Sequence, residues 1–229
     1  MTKTLIELVG ETLDIEDLKC SLGASPWQII KDSDVFYLTS EILNKFDDTN
    51  EVISTGKIFL DLLNGTANIV YINHKNVTTG SVIKIDENGK RAIHVFVEPL
   101  ILGSRLGGSL IAKGKTIPKL TIVEEWLNKA AKYESVRDAI HFFNEITWWN
   151  LYKIYEVICE DVGGQHKLKP FLNLSEIKTF THNADNRRAI GDQARHASKK
   201  YDPPKKKLTL DEAYELIKQL FEKWVNTKV

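Results

Sequence analysis

The residues best suited to chemistry lie together in one stretch of the chain, from 181 to 207. It contains two histidines, His182 and His196, and three arginines, Arg187, Arg188 and Arg195. Guanidinium groups bind phosphate oxygens through paired hydrogen bonds, and imidazole changes its charge close to neutral pH. Because the chain as a whole carries no net charge, this local combination indicates a site for a ligand that bears phosphate.

A helix over residues 187–198 would bring these groups onto one face. Arg188, Asp192 and either Arg195 or His196 are then three or four residues apart, so that Asp192 would hold an arginine or orient His196. An oriented imidazole between guanidinium groups can transfer the protons in metal-independent RNA cleavage, while arginine stabilises charge on the phosphate. We therefore predict two sets of residues. The catalytic set is His196, Arg188, Arg195 and Asp192, and the substrate-binding set is His182, Asn183, Arg187, Lys199 and Lys200.

Other reactive and aromatic side chains favour simpler interpretations. Cys20 and Cys159 have no CxxC or CxH neighbours, and no HxxxH or HExxH spacing occurs. We therefore expect no metal, no cofactor and two buried, reduced thiols. Trp148, Trp149 and Tyr152 could stack on bases, but their helical spacing favours a place in the core.

Composition and charge distribution limit the class of protein. Of the 229 residues, 42% are hydrophobic, which is enough for a sizeable core. Acidic residues outnumber basic ones before residue 64, and the balance reverses over 187–207. We expect RNA to approach the basic part, and a protein partner or a second copy to bind the acidic part. The start of the chain does not resemble a signal peptide, and no apolar run reaches the ~20 residues of a membrane span. These features predict a cytoplasmic protein that does not enter a membrane and forms homo-oligomers.

Hydrophobic periodicity predicts an α+β layer over residues 1–102. Strand-like runs occupy 4–9 and 34–39, and helical spacing covers 51–64 and stops at Gly65. Because residues 53–60 are rich in branched side chains, this last segment could instead be a strand. The strands 81–85 and 90–97 flank Asp86-Glu87-Asn88-Gly89, and an Asn-Gly pair is typical of an antiparallel hairpin. Glycines between 103 and 119 indicate a connector.

The remainder, 120–229, is predicted to be a helical bundle. Three consecutive helices follow residue 120, and shorter ones are expected near 175–180 and 187–198. A last helix runs from 210 to about 225, and Thr209 with Glu212 forms a capping box at its start.

This helical part, from about 120 to 228, resembles the HEPN superfamily in its helix number and in an arginine followed by a histidine near a late helix. That superfamily consists of small helical bundles, commonly dimeric, many of them metal-independent RNases of bacterial defence and toxin–antitoxin systems. The resemblance implies that His196 is the general acid or base and that Arg188 and Arg195 bind the scissile phosphate. The family motif places fewer residues between its arginine and histidine than the seven that separate Arg188 from His196.

The same residues are also compatible with a second class of protein. Arg188 and Asp192 could form an ordinary helix ion pair, and the whole cluster could be a polar network inside a non-catalytic interaction or dimerisation module. A third possibility is a protein that binds nucleic acid without cleaving it, which requires an exposed basic face. Exposure also distinguishes the first two classes. Catalysis requires His196 and an arginine at an open surface, whereas a network requires that they be buried and paired.

Overall fold

The computed structural model of the protein describes residues 3–23, 25–71, 73–96, 118–197 and 202–229. The chain divides into two compact units, Met1–Glu125 and Trp126–Val229. The first contains an antiparallel sheet and the second is helical, which confirms the predicted α+β class. The predicted connector at 103–119 lies outside the described residues, except that Pro118 and Lys119 already belong to a helix.

A five-stranded antiparallel sheet forms the centre of the first unit. Its strands are β1 (Lys3–Val9), β2 (Trp27–Asp32), β3 (Val35–Ser40), β4 (Thr78–Ile85) and β5 (Arg91–His94), in the order β2-β3-β1-β4-β5. Ile6 of β1 pairs with Leu38 on one side and Val82 on the other, and all three are fully buried. These three side chains share one face of the sheet, and Leu5, Tyr37 and Ile83 form a second buried cluster on the opposite face.

Two helices belong to the same unit, α1 (Thr12–Ser21) and α2 (Thr49–Val70). The sequence patterns predicted α2 but neither α1 nor β2. The side chain of Asp48 accepts a hydrogen bond from the backbone N–H of Asn50 (2.9 Å) and caps α2. The prediction that this helix ends at Gly65 is wrong. Thr66, Ala67 and Ile69 are buried beyond it, and their burial outweighs the ~1 kcal/mol that a glycine costs inside a helix.

The predicted hairpin between β4 and β5 is confirmed. The backbone N–H of Asp86 donates to the carbonyl of Lys90 (3.0 Å), and Gly89 has the positive φ of 80° that the turn requires. The second strand ends at His94, earlier than the predicted position 97.

Six helices are described from residue 118 onward: α3 (Pro118–Lys132), α4 (Glu134–Phe142), α5 (Trp148–Asp161), α6 (Leu174–Asp185), α7 (Arg187–Ile190) and α8 (Leu210–Val225). Helix α5 packs against α4, α6 and α8. The predicted capping box of Thr209 and Glu212 opens α8. Among the described helices of the chain, none is both long and apolar enough to cross a membrane.

The core of the second unit is largely aromatic. Phe143, Phe180, Phe221 and Trp224 are all fully buried. The rings of Phe143 and Phe221 meet edge to face at a centroid distance of 5.3 Å, a favoured aromatic arrangement. Because α5 lies among its neighbours in this core, the side chains that it presents to the surface are held at fixed positions.

Asp161, at the end of α5, ties α8 and the C-terminal residues to the bundle. Its carboxylate accepts hydrogen bonds from Trp224 Nε1 (2.8 Å), Ser135 Oγ (2.8 Å) and the ammonium group of Lys228. Burial by itself would raise the pKa of Asp161, but these hydrogen bonds outweigh it and the pKa lies below its ordinary value of 3.8.

We expect Asp161→Asn to lower the free energy of unfolding at pH 7 by about 1–3 kcal/mol, because hydrogen bonds to a charged acceptor are lost. A depressed pKa stabilises the fold above the ordinary value, and this contribution disappears as the pH falls through the folded-state pKa. The difference in the free energy of unfolding between wild type and Asp161→Asn, measured with urea, should therefore be smaller at pH 3 than at pH 7. Asp138→Asn, at an exposed position of α4, is the control. An equal gap at both pH values would contradict this account.

Candidate functional site

The predicted helix over 187–198 is much shorter in the structure. Helix α7 ends at Ile190, and a 3₁₀ turn covers Gly191–Gln193. Gly191 has a φ of 69°, a conformation that favours glycine and ends the helix. Ala194 has extended backbone angles, and the N–H of Arg195 donates to the carbonyl of Ala184 (3.0 Å). The prediction that Arg188, Asp192 and His196 share a helical face is therefore wrong.

Arg195 is instead held by side chains from two helices. Its Nη1 donates to the hydroxyl of Tyr152 (2.8 Å) and to Oδ1 of Asp185 (3.3 Å), and Nη2 lies 3.6 Å from Oε1 of Glu156. The guanidinium carbon also lies 4.3 Å from the centre of the Tyr152 ring, a cation–π contact. Tyr152 and Glu156 are four residues apart on α5, so both face the same side of that helix. We call Tyr152, Glu156, Asp185, Arg195 and His196 the arginine cluster.

His196 completes the arginine cluster at its solvent side. Its Nε2 lies 3.8 Å from Oδ1 of Asp185, and its side chain is 53% exposed. One carboxylate therefore faces both Arg195 and His196. The sequence analysis assigned the orienting role to Asp192, but the structure places Asp185 in that position.

The remaining predicted catalytic residues, Asp192 and Arg188, are not part of the arginine cluster. Asp192 is 88% exposed and pairs with Arg187, whose Nη1 also reaches the carbonyl of Ala197 (3.4 Å). Arg188 is exposed, and its guanidinium group forms no hydrogen bond or ion pair with the described residues. Lys199 and Lys200, which were predicted to bind substrate, lie outside the described residues.

Two buried asparagines fix the return segment 202–208 to α6. Asn183 is fully buried; its Nδ2 donates to the carbonyls of Thr179 (2.8 Å) and Lys206 (2.9 Å), and its Oδ1 accepts from the N–H of Leu208 (3.1 Å). Asn186 donates to the carbonyl of Asp202 (2.6 Å). All of these contacts are internal to the fold. The structure therefore gives Asn183 a structural role, whereas the sequence analysis predicted that it binds substrate.

His182, which was also predicted to bind substrate, contributes to the same attachment. It is exposed, and its Nε2 lies 3.1 Å from the carbonyl oxygen of Asp202. The imidazole would therefore have to leave this contact to meet a ligand through the same nitrogen.

The electrostatics of the arginine cluster are mixed. Glu156 and Asp185 supply two carboxylates for one guanidinium group. Burial, followed by the nearby Asp185 carboxylate, raises the pKa of Tyr152. The Tyr152 hydroxyl therefore stays protonated near neutral pH and accepts a hydrogen bond from Arg195.

A groove of about 500 Å³ in the second unit lies apart from His196 and Arg195. Its lining includes four carboxylates, Glu176, Asp211, Glu212 and Glu215, against one ammonium group, that of Lys206. An acidic lining repels phosphate, so this groove does not suit the ligand that the sequence predicts.

Within the part of the chain that the structure describes, neither the cysteines nor the possible metal ligands form a metal-binding site. Cys159 is half-buried, but Cys20 is exposed, so its predicted burial is wrong. Within the described ranges, no three histidine, cysteine, aspartate or glutamate residues are grouped so that they could hold a metal ion.

Sequence reasoning missed Glu156, Asp185 and Asn186, and it considered Tyr152 only as a core residue or a platform for bases. Tyr152 and Glu156 have the four-residue spacing of one helix face, and Asp185 lies within the basic stretch itself. No protein-family model matches this chain, and no curated protein or solved structure is significantly similar to it.

Asn183→Ala should lower the free energy of unfolding by about 2–4 kcal/mol, because it leaves buried backbone groups without partners. It should also speed trypsin cleavage at Lys205–Lys207 under native conditions, since segment 202–208 loses its attachment to α6. His182→Ala, at the adjacent exposed position, should change stability by less than about 0.5 kcal/mol. Urea unfolding measures the change in stability, and timed proteolysis measures the rate of cleavage. If Asn183→Ala and His182→Ala lost equal stability, the buried hydrogen bonds of Asn183 would not be the reason for the loss.

Proposed function

We propose that the second unit acts on RNA as a metal-independent endoribonuclease, with His196 as the proton-transferring group. The observation that carries this proposal is the position of His196: a half-exposed imidazole 3.8 Å from a carboxylate and next in the chain to a fixed arginine. An imidazole at the surface can reach a substrate, and a carboxylate behind it can orient the ring for proton transfer.

Arg188 is assigned to the phosphate of the substrate. Its guanidinium group is exposed, and the described residues offer it no ion pair, so it can form a paired hydrogen bond with phosphate oxygens. Arg187 pairs with Asp192, and this exposed pair can open at little cost because such pairs are worth less than about 1 kcal/mol.

Arg195 is assigned a positioning role. Tyr152, Asp185 and Glu156 already occupy its donors, so it does not need a phosphate partner. By fixing Asp185 and the backbone next to His196, it sets the place of the imidazole. This assignment differs from the HEPN-like expectation that Arg195 binds the scissile phosphate.

The hydrogen-bond network around Asn183 favours a second candidate, a non-catalytic interaction or dimerisation module. Asn183, Asn186 and His182 all contact backbone carbonyls of the segment 202–208, and two carboxylates beside Arg195 oppose the approach of a polyanion. In this alternative the arginine cluster only joins α5, α6 and residues 194–196.

RNA cleavage in the presence of EDTA tests the proposal. Purified wild type should cleave a mixed RNA pool, and His196→Ala should lower the rate about 100-fold or more, because general acid–base catalysis typically contributes that much. Arg188→Ala should lower it about tenfold or more through lost phosphate stabilisation. Electrophoresis of end-labelled RNA measures the rates.

His166→Ala is the matched control, since His166 is exposed in the same unit; it should cleave like wild type. All variants should first show the circular dichroism spectrum and unfolding midpoint of wild type. If folded wild type does not cleave, or if His196→Ala and His166→Ala are equally active, the ribonuclease proposal fails. In that case, self-association measured by sedimentation would support the second candidate.

A further inference from the structure

One tryptophan of this protein differs from the other four. Trp27, Trp126, Trp148 and Trp224 are buried, with 8% exposure or less, whereas Trp149 is 51% exposed. Trp148 and Tyr152 occupy the core, where both stack near Phe180 at 6.0 and 6.2 Å between ring centroids. Packing therefore accounts for Trp148 and Tyr152, as predicted. The prediction that Trp149 also lies in the core is wrong, because its indole faces solvent.

Trp149 belongs to a small aromatic surface that also carries a cation. The ammonium group of Lys153 lies 5.6 Å from the centre of the Trp149 ring and 4.8 Å from the centre of the half-buried Phe142 ring. An ammonium group between two rings keeps a positive charge beside a flat apolar face. We call Phe142, Trp149 and Lys153 the aromatic patch.

The aromatic patch lies on the same face of α5 as the residues that hold Arg195. Lys153 follows Trp149 by four residues, and Glu156 follows Lys153 by three. Tyr152 follows Trp149 by three residues, so all of these side chains lie on one side of the helix. At 1.5 Å per residue, Trp149 is ~5 Å along the helix axis from Tyr152 and ~10 Å from Glu156. The patch is thus one to two helical turns from the arginine cluster, within the same unit.

We propose that Trp149 is a stacking platform for an unpaired nucleobase of the RNA, with Lys153 contacting the adjoining phosphate. This inference rests on the proposed function and specifies its substrate as single-stranded at this position. Base stacking on an aromatic ring needs an accessible π-face, and the nearby cation supplies a backbone contact. The base is uncharged, so Glu156 does not repel it.

Base pairing would prevent this contact. In a duplex the faces of the bases are covered by their neighbours, and protein side chains reach mainly the backbone and the groove edges. A platform at Trp149 therefore distinguishes unpaired from paired RNA, whereas Arg188 and Lys153 alone would bind the phosphates of either.

Fluorescence gives a direct readout, because Trp149 is the exposed indole of the full chain. We would titrate the His196→Ala variant, which should bind without cleaving, with oligouridine, oligoadenine, a duplex of the same length and an oligonucleotide that lacks bases. Stacking should quench the emission on addition of single strands only. Trp149→Leu should abolish the quenching and weaken binding of single strands about tenfold, as loss of one stacked base does.

Lys153→Gln should weaken binding less than Trp149→Leu does. It should also reduce the slope of log affinity against log salt concentration by about one, as expected for one lost phosphate contact. Lys218→Gln is the control, since Lys218 lies over the Tyr214 ring of α8 in the same kind of cation–π contact (5.9 Å). It should leave binding unchanged.

The outcomes separate this inference from the proposed function. If single strands bind and are cleaved by wild type, but quenching is absent and Trp149→Leu binds equally well, the platform is overturned and the ribonuclease proposal stands. Equal affinity for the duplex or the base-free strand also overturns the platform. If no RNA binds or is cleaved, both proposals fail. A blue shift of the emission with protein concentration alone would show that Trp149 is covered by a second copy, which overturns its role in binding RNA.

Discussion

The guanidinium group of Arg195 is the interaction on which the candidate site depends. It joins Tyr152 and Glu156 of α5 to Asp185 at the end of α6, and it fixes the extended backbone that carries His196. A single exposed ion pair contributes little, but this group combines a ring contact, a neutral hydrogen bond and two carboxylates. Without Arg195, Glu156 and Asp185 would lose their shared counter-charge, so the site and the local fold are stabilised by the same side chain.

This arrangement also limits which chemistry the site can perform. The two carboxylates balance the charge of Arg195, so the proposed phosphate contact has to come from another exposed group such as Arg188. The groove lined by Glu176 and Asp211 is acidic and does not suit a phosphate ligand. A polyanion that approaches the second unit would therefore be directed by local charge and not by the neutral total of the chain.

The local elements with their own chemical signals were predictable from the sequence. The Asn-Gly turn and the Thr209 capping box both fold as expected, because each depends on residues within a few positions of one another. Gly65 and Gly191 show that a local signal alone does not determine where a helix ends. Both follow helical patterns, yet α2 continues through Gly65 whereas α7 ends just before Gly191. Burial of the following turn decides between these outcomes, and burial depends on distant parts of the chain.

The sequence by itself determined the class of the fold and the stretch in which arginine and histidine are concentrated, because periodicity and composition are local properties. It did not determine the partners of those residues. Tyr152 lies 43 positions before Arg195 and meets it only because α5 and α6 pack together. Likewise, Trp148 and Trp149 are adjacent and chemically identical, but one is in the core and the other at the surface. Only the tertiary structure decided these points, since neighbours on a helix differ by about 100° in direction and the packing of the bundle selects which direction is buried.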